Sequence, residues 1–252
     1  MPTVSLVEEP LAAEPPDREW TPDETQPQLL AAWCGLGAVI LSALGLIVIA
    51  GFIPPQDPTA SAQHIADWYA ANALRIRIGL FVTMIGVTLF VPFGVVIALQ
   101  TRRNENRPVM TCIQIACIAI GALEGIIAMF VWAAAAFRAG QIDPESTRLI
   151  NDLGWFAFMF DVPPFSLWVG AIAYTILRDR RTEPVFPRWV AYFNIWLAFL
   201  FLPADAMAFF KTGPFAWNGL LCLYIPVGSF FVWILVMTPV VLRAIRRETR
   251  TH

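Results

Sequence analysis

Six predominantly apolar blocks, 29–53, 79–100, 109–137, 155–177, 189–210 and 217–242, constrain this chain more than any other feature of its sequence. Each is long enough to cross a hydrocarbon core of about 30 Å, which takes about 20 helical residues. Backbone donors and acceptors inside lipid have to pair within their own segment, so each block is expected to be a helix. The expected fold class is all-α, a polytopic integral membrane bundle of six transmembrane helices arranged as three helical hairpins. Composition agrees: 58% of residues are hydrophobic and 14% charged, against about 45–50% and about 25% in soluble domains. An ordinary soluble enzyme, a disordered chain and a disulfide scaffold are excluded, and a formal net charge of −2 leaves no basis for binding nucleic acid.

The blocks divide the chain into an acidic, proline-rich tail (1–28), a transmembrane domain (29–243) and a basic tail (244–252). The first tail sets seven acids against one base, Arg18, among six prolines, and is expected to stay unfolded. It lacks the positive start and short apolar core of a cleavable signal, so the first block is expected to remain as a membrane helix. Lys and Arg are retained on the cytoplasmic side. Eleven arginines lie in the second and fourth connections and at the C-terminus (102, 103, 107, 178, 180, 181, 188, 243, 246, 247 and 250). Five bases lie at the other ends, namely Arg75, Arg77, Arg138, Arg148 and Lys211. Both termini are therefore expected in the cytoplasm, with the protein in the plasma membrane of the cell, or inner membrane. Bilayer lipid is the expected partner, and the arginine runs lie at head-group level.

Asp57-Pro58 and Asp143-Pro144 open the first and third connections, with aspartate suited to N-cap and proline to first helical residue. Each is expected to start a short amphipathic helix lying along the outer surface, with Ile65, Trp68 and Ile76 as its apolar face in one case and Leu149, Ile150 and Leu153 in the other. Each hairpin then returns through a helix expected to be interrupted by proline, at Pro92, Pro163-Pro164 or Pro226.

Four cysteines (34, 112, 117 and 222) sit inside apolar blocks with no paired spacing, and the histidines are His64 and His252 alone. Zinc, haem and multi-histidine metal sites lack their ligand patterns, and no cofactor is expected. A phosphate-binding glycine loop and a paired-aspartate diphosphate motif are missing as well.

Three carboxylates do sit inside the blocks: Glu124, Asp161 and Asp205. A carboxylate at the bilayer centre costs about 2.5–3.5 kcal/mol on insertion scales, so each is expected to face the bundle interior or a wet cavity. Counted from the outer span ends, Glu124 lies roughly 20 Å deep, Asp161 roughly 9 Å and Asp205 roughly 8 Å. Asp161 precedes Pro163-Pro164 and Asp205 follows Pro203, where freed backbone can present polar groups to a cavity. Glu124 has no base within two turns on its own helix to offset a buried charge, which makes it the best candidate for proton exchange. The competing expectation is structural: Arg75, Arg77, Arg138 or Lys211 reaching down to staple Asp161 or Asp205.

Trp132, Trp168, Tyr224 and Trp233 are the candidate ligand-binding aromatics near this depth, whereas Trp33, Trp155, Trp189 and Trp217 read as an interfacial belt. Gly121 and Gly125 form a GxxxG beside Glu124, which lets another helix approach closely. Three functions fit. The first is a pocket lined by the three carboxylates that binds or carries a lipophilic small molecule or a coupled proton. The second is a membrane-embedded acid/base isomerase, hydratase or cyclase acting on a terpenoid- or sterol-like substrate. The third is a structural or assembly subunit without ligand.

Overall fold

In the computed structural model the described residues are 22–160 and 162–248, without the side chains of 22–24. The acidic segment before residue 22, the last four positions of the basic tail and Asp161 lie outside them. Among the described residues there is no strand. The chain builds α1 (Pro22–Ser42), α2 (Ala62–Arg102), α3 (Val109–Phe137), α4 (Pro144–Met159), α5 (Val162–Arg178), α6 (Arg188–Phe201) and α7 (Ile225–Glu248). Wider, π-helical turns extend α1 over Ala43–Ile49 and precede α7 over Leu220–Tyr224, and a tight 3-10 segment, Leu202–Ala208, extends α6. Six stretches are long and apolar enough to cross a membrane: Thr25–Ile49, Ala62–Arg102, Val109–Phe137, Pro144–Arg178, Arg188–Ala208 and Leu220–Glu248. This is the expected all-α six-helix bundle of a multi-pass membrane protein, with the third span matching to the residue.

The other boundaries shift, two of them into the tails. α1 starts at Pro22, inside the segment expected to be unfolded, and α7 runs on to Glu248. Pro92 sits within an unbroken α2, so it does not interrupt that helix; Pro163 and Pro164 occupy the first turn of α5, and Pro203 and Pro226 sit where helical pitch changes, just after α6 gives way to the 3-10 segment and just after the π-helical turns give way to α7.

α2 packs along α1 on one side and α3 on the other, α5 along α6, and α7 along α1. Glycine makes the first of these contacts possible. A Cβ placed on Gly79 would lie 2.5 Å from the Ala50 amide nitrogen and from the Gly45 carbonyl oxygen. One on Gly45 would lie 2.4 Å from Thr83 Oγ1 and 2.5 Å from the Gly79 carbonyl oxygen. Backbone therefore meets backbone at this crossing, the arrangement that small residues permit between membrane helices.

The short surface helices expected at one end are instead extensions of long rods. α2 is continuous over 41 residues, roughly 60 Å at the helical rise and twice the hydrocarbon thickness. Its N-cap is Ser61, whose hydroxyl accepts from the His64 amide at 3.2 Å; Asp57 closes a turn on Thr59 instead. At α4 the expected cap is present: Asp143 accepts from the Ser146 amide at 2.9 Å with Pro144 in the first turn. Ile65 and Ile76 are buried inside the protein. On α4 the side turned to the protein is largely polar: Thr147, Asn151, Gly154 and Trp155 are buried, while Leu149 and Leu153 are 62% and 53% exposed. The cause is a polar node: Asn151 accepts from the Tyr69 hydroxyl through Oδ1 and from Trp132 Nε1 through its carbonyl, each at 3.1 Å. Gly154 admits the Trp132 ring, since a Cβ there would lie 2.1 Å from Nε1.

Candidate functional site

Above the long spans, at this capped end, aromatic rings form a plug. Phe52 lies 4.4 Å from Trp132, Trp132 lies 4.9 Å from Trp155, and Trp155 stacks on Trp217 at 6.3 Å and 9°. Trp217 Nε1 donates to the Gln56 carbonyl at 2.8 Å. Trp155 and Trp217 were expected in an interfacial belt and are buried here, because the extended α2 and α4 enclose them; Trp33 and Trp189 are exposed.

Below the plug lies an apolar cavity of two lobes. The larger, about 140 Å³, is walled by Ser42, Leu46, Thr83, Met159, Phe165 and Ala204 among others. The smaller, about 110 Å³, reaches Ala38, Gly86, Phe90, Gly121, Ala122 and Gly125. Ser42, Val87, Phe158, Phe230 and Phe231 line both, so the two lobes adjoin at these side chains. Three irregular stretches of the six spans meet this space, and a fourth ends two residues short of it. Leu46 comes from the π-helical end of α1, Met159 and Val162 flank the α4–α5 junction, Ala204 belongs to the 3-10 segment, and Pro226 is the second residue after the π-helical turn that precedes α7.

Behind the wall Trp168 and Trp233 pack with ring centroids 4.9 Å apart, against Phe90, Phe165 and Phe230. Trp233 Nε1 donates to the buried Asn194 Oδ1 at 3.0 Å; Trp168 Nε1 has no partner among the described residues. These two expected ligand-binding tryptophans thus support the wall from behind. Trp132 belongs to the plug, and Tyr224 is 43% exposed on the flank of the bundle.

None of the lining residues is a carboxylate among those described. Glu124 is half-buried between Ala122 and Gly125 of the smaller lobe, and its Oε2 is sealed without a partner. Asp205 is half-buried next to Ala204 of the larger lobe. Neither makes an ion pair among the described residues. The expected staples serve elsewhere. Arg75 donates to the Ile49 and Val48 carbonyls at 2.8 and 3.4 Å, satisfying acceptors that a helix end leaves free. Arg77 turns back to the Ala73 carbonyl at 3.2 Å, Arg138 donates to Gln141 at 3.3 Å, and Lys211 acts electrostatically on Asp152.

At the arginine-rich end a separate groove of about 190 Å³ is lined by Arg103, Arg181 and Arg247 with Glu183 and Glu248. Arg103 pairs with Glu248 at 3.5 Å, so the groove carries its own counter-charges.

The wall residues themselves went unrecognised in the sequence. Phe158, Phe165, Phe230 and Phe231 are indistinguishable from other apolar span residues by composition, and the one local signal for Ser42 is a hydroxyl one turn before Gly45. Comparison with family models, curated proteins and solved structures finds no match to this chain.

Proposed function

We propose that this multi-pass membrane protein binds or carries a lipophilic small molecule in the two-lobed cavity, with Glu124 and Asp205 at its margin exchanging a coupled proton. The supporting observation is the coincidence of an aromatic-walled apolar cavity with the helix irregularities of three spans, at Leu46, at Met159 and Val162, and at Ala204. Irregular backbone is tolerated at membrane depth where it lines a cavity, and binding sites in carriers are commonly built from such discontinuous helices. Apolar walls with few polar groups are the usual character of a small-molecule site. Glu124 flanks the smaller lobe with a partnerless oxygen, and buried ionisable groups of that kind are the ones that bind and release protons. Asp161 joins them on sequence position alone, next to the wall residue Val162. The arginine asymmetry supports cytoplasmic termini in a plasma membrane. An acid/base enzyme would need a carboxyl within hydrogen-bond reach of the reacting atoms, and the described wall offers none, which favours binding over catalysis.

The test is extraction of lipid-soluble material from the purified protein, identified by mass spectrometry, beside Val87→Phe, which fills the space shared by both lobes. A defined lipophile enriched over bulk lipid in the wild type and depleted in the folded variant is expected. Equal recovery of bulk lipid alone from both would end the proposal. For the proton, Glu124→Gln reconstituted in vesicles is expected to lose the pH dependence of ligand uptake; a retained pH profile removes Glu124 from that role.

A further inference from the structure

Resting on that binding site, we infer that its ligand carries a neutral oxygen acceptor, a carbonyl or a hydroxyl, and that the Ser42 hydroxyl is the residue that selects it. Ser42 and Thr83 are the hydroxyl-bearing residues of the wall, and Ser42 is the one shared by both lobes.

The two hydroxyls are not equivalent. Thr83 Oγ1 donates to the Gly79 carbonyl at 2.8 Å, the bond one turn back that Ser and Thr ordinarily make inside helices. Thr88, Thr101, Thr175 and Thr238 do the same at 2.8–3.2 Å. Their protons are committed. Ser42 makes no such bond and no other side-chain hydrogen bond among the described residues. Ser166 Oγ is also without a partner, but it is sealed away from the wall.

Ser42 faces Gly86 where α1 and α2 approach closely. A Cβ on Gly86 would lie 2.5 Å from Ser42 Oγ, 2.8 Å from the Ser42 amide nitrogen and 3.1 Å from the Ala38 carbonyl oxygen, and Gly86 itself lines the smaller lobe. Glycine at that position leaves the oxygen standing at the junction of the lobes with a free proton. A hydroxyl facing an apolar cavity without a partner leaves a hydrogen bond unmade, and a ligand oxygen arriving there supplies it. The wall carries no charged side chain among the described residues. A fatty-acid carboxylate would bring an uncompensated charge into it, which is strongly disfavoured. The selected class is a lipophile with a neutral oxygen function rather than a hydrocarbon or an anionic lipid.

Three photoreactive probes of equal chain length read this directly on the full chain in lipid nanodiscs: a diazirine-tagged long-chain ketone, the matching alkane and the matching carboxylic acid. Cross-linked peptides are mapped by mass spectrometry. The ketone is expected to label cavity peptides carrying Ser42, Phe158 or Phe230 and to exceed the alkane by roughly 3–10-fold, the range of a neutral hydrogen bond, with the acid weakest. Ser42→Ala removes one oxygen atom and is expected to bring the ketone down to the alkane's level while alkane labelling persists. Ser42→Thr keeps a hydroxyl and is expected to restore the preference. Cavity labelling with no preference for the ketone in the wild type, or a preference that survives in Ser42→Ala, overturns the role of Ser42 and leaves the binding cavity standing. Absence of cavity labelling by all three probes overturns the cavity itself. Should Ser42→Ala lose alkane labelling too, the wild-type preference and the Ser42→Thr result still decide the matter.

Discussion

Changing Gly79 to alanine sets two effects of opposite sign against each other. Alanine is favoured over glycine inside a helix by about 1 kcal/mol. At Gly79 the new methyl would lie 2.5 Å from the Ala50 nitrogen and the Gly45 oxygen and 2.7 Å from the Ala50 Cβ. The first two are backbone atoms, which cannot swing aside as the end of a side chain can. Overpacking costs about 1–3 kcal/mol, and backbone neighbours place this site near the upper limit, so the net effect is a loss of about 2 kcal/mol. Gly170, in the interior of α5, has nothing within 4 Å of its Cβ position. The same substitution there keeps the propensity gain and loses nothing. The two variants are expected to differ by about 3 kcal/mol, or roughly 6–12 °C in melting temperature for a chain of this length. Thermal denaturation of the two variants and the wild type, side by side in one detergent, measures this. Gly79→Ala melting with or above Gly170→Ala would mean that α1 and α2 do not meet backbone to backbone, and the wall position of Ser42, three residues before Gly45, would fall with it.

Tyr69→Phe deletes the hydroxyl that Asn151 Oδ1 accepts from inside the capped end; a loss of about 1 kcal/mol, roughly 2–4 °C, is expected, and an unchanged melting temperature would show the node to be energetically idle. The Ser146 hydroxyl, and then its amide, hold the exposed Asp143 carboxyl below the usual carboxylate range. A carboxyl depressed in the folded state adds stability that is complete above its unfolded value of about 3.9 and vanishes as pH falls through the folded value. Protection of the Ser146 and Thr147 amides against hydrogen exchange, corrected for intrinsic rate, is therefore expected to drop in acid for the wild type. In Asp143→Ala it should be low at every pH, and equal protection in the two proteins would remove the cap from the account.

The spans were legible because lipid imposes a single demand, a long apolar run, and α3 shows how completely: nothing in 109–137 competes with it. What escaped is whatever depends on a partner far along the chain. α4 carries asparagine at 151 among apolar residues, and nothing local says which way it faces; Tyr69 and Trp132, distant in sequence, turn it inward. The interruptions escaped for the same reason, since the turns at Ala43–Ile49 lie where Gly45 meets Gly79 and Thr83, and no local propensity announces that meeting. For the candidate site, charge was visible and emptiness was not. Glu124 and Asp205 stand out in a sequence, whereas a cavity is a shortage of atoms among residues such as Phe158, Phe165 and Phe230, each of which reads as filled core.

The irregular stretches also divide the molecule mechanically. α2 and α3 cross its middle as unbroken rods and serve as a spine. The spans built from α1, α4 with α5, α6 and α7 each change pitch or stop at the level of the cavity, as columns jointed at a common storey. Bending in helices concentrates where the regular ladder is broken, so the segments above and below that storey can tilt about it while the spine keeps them in register.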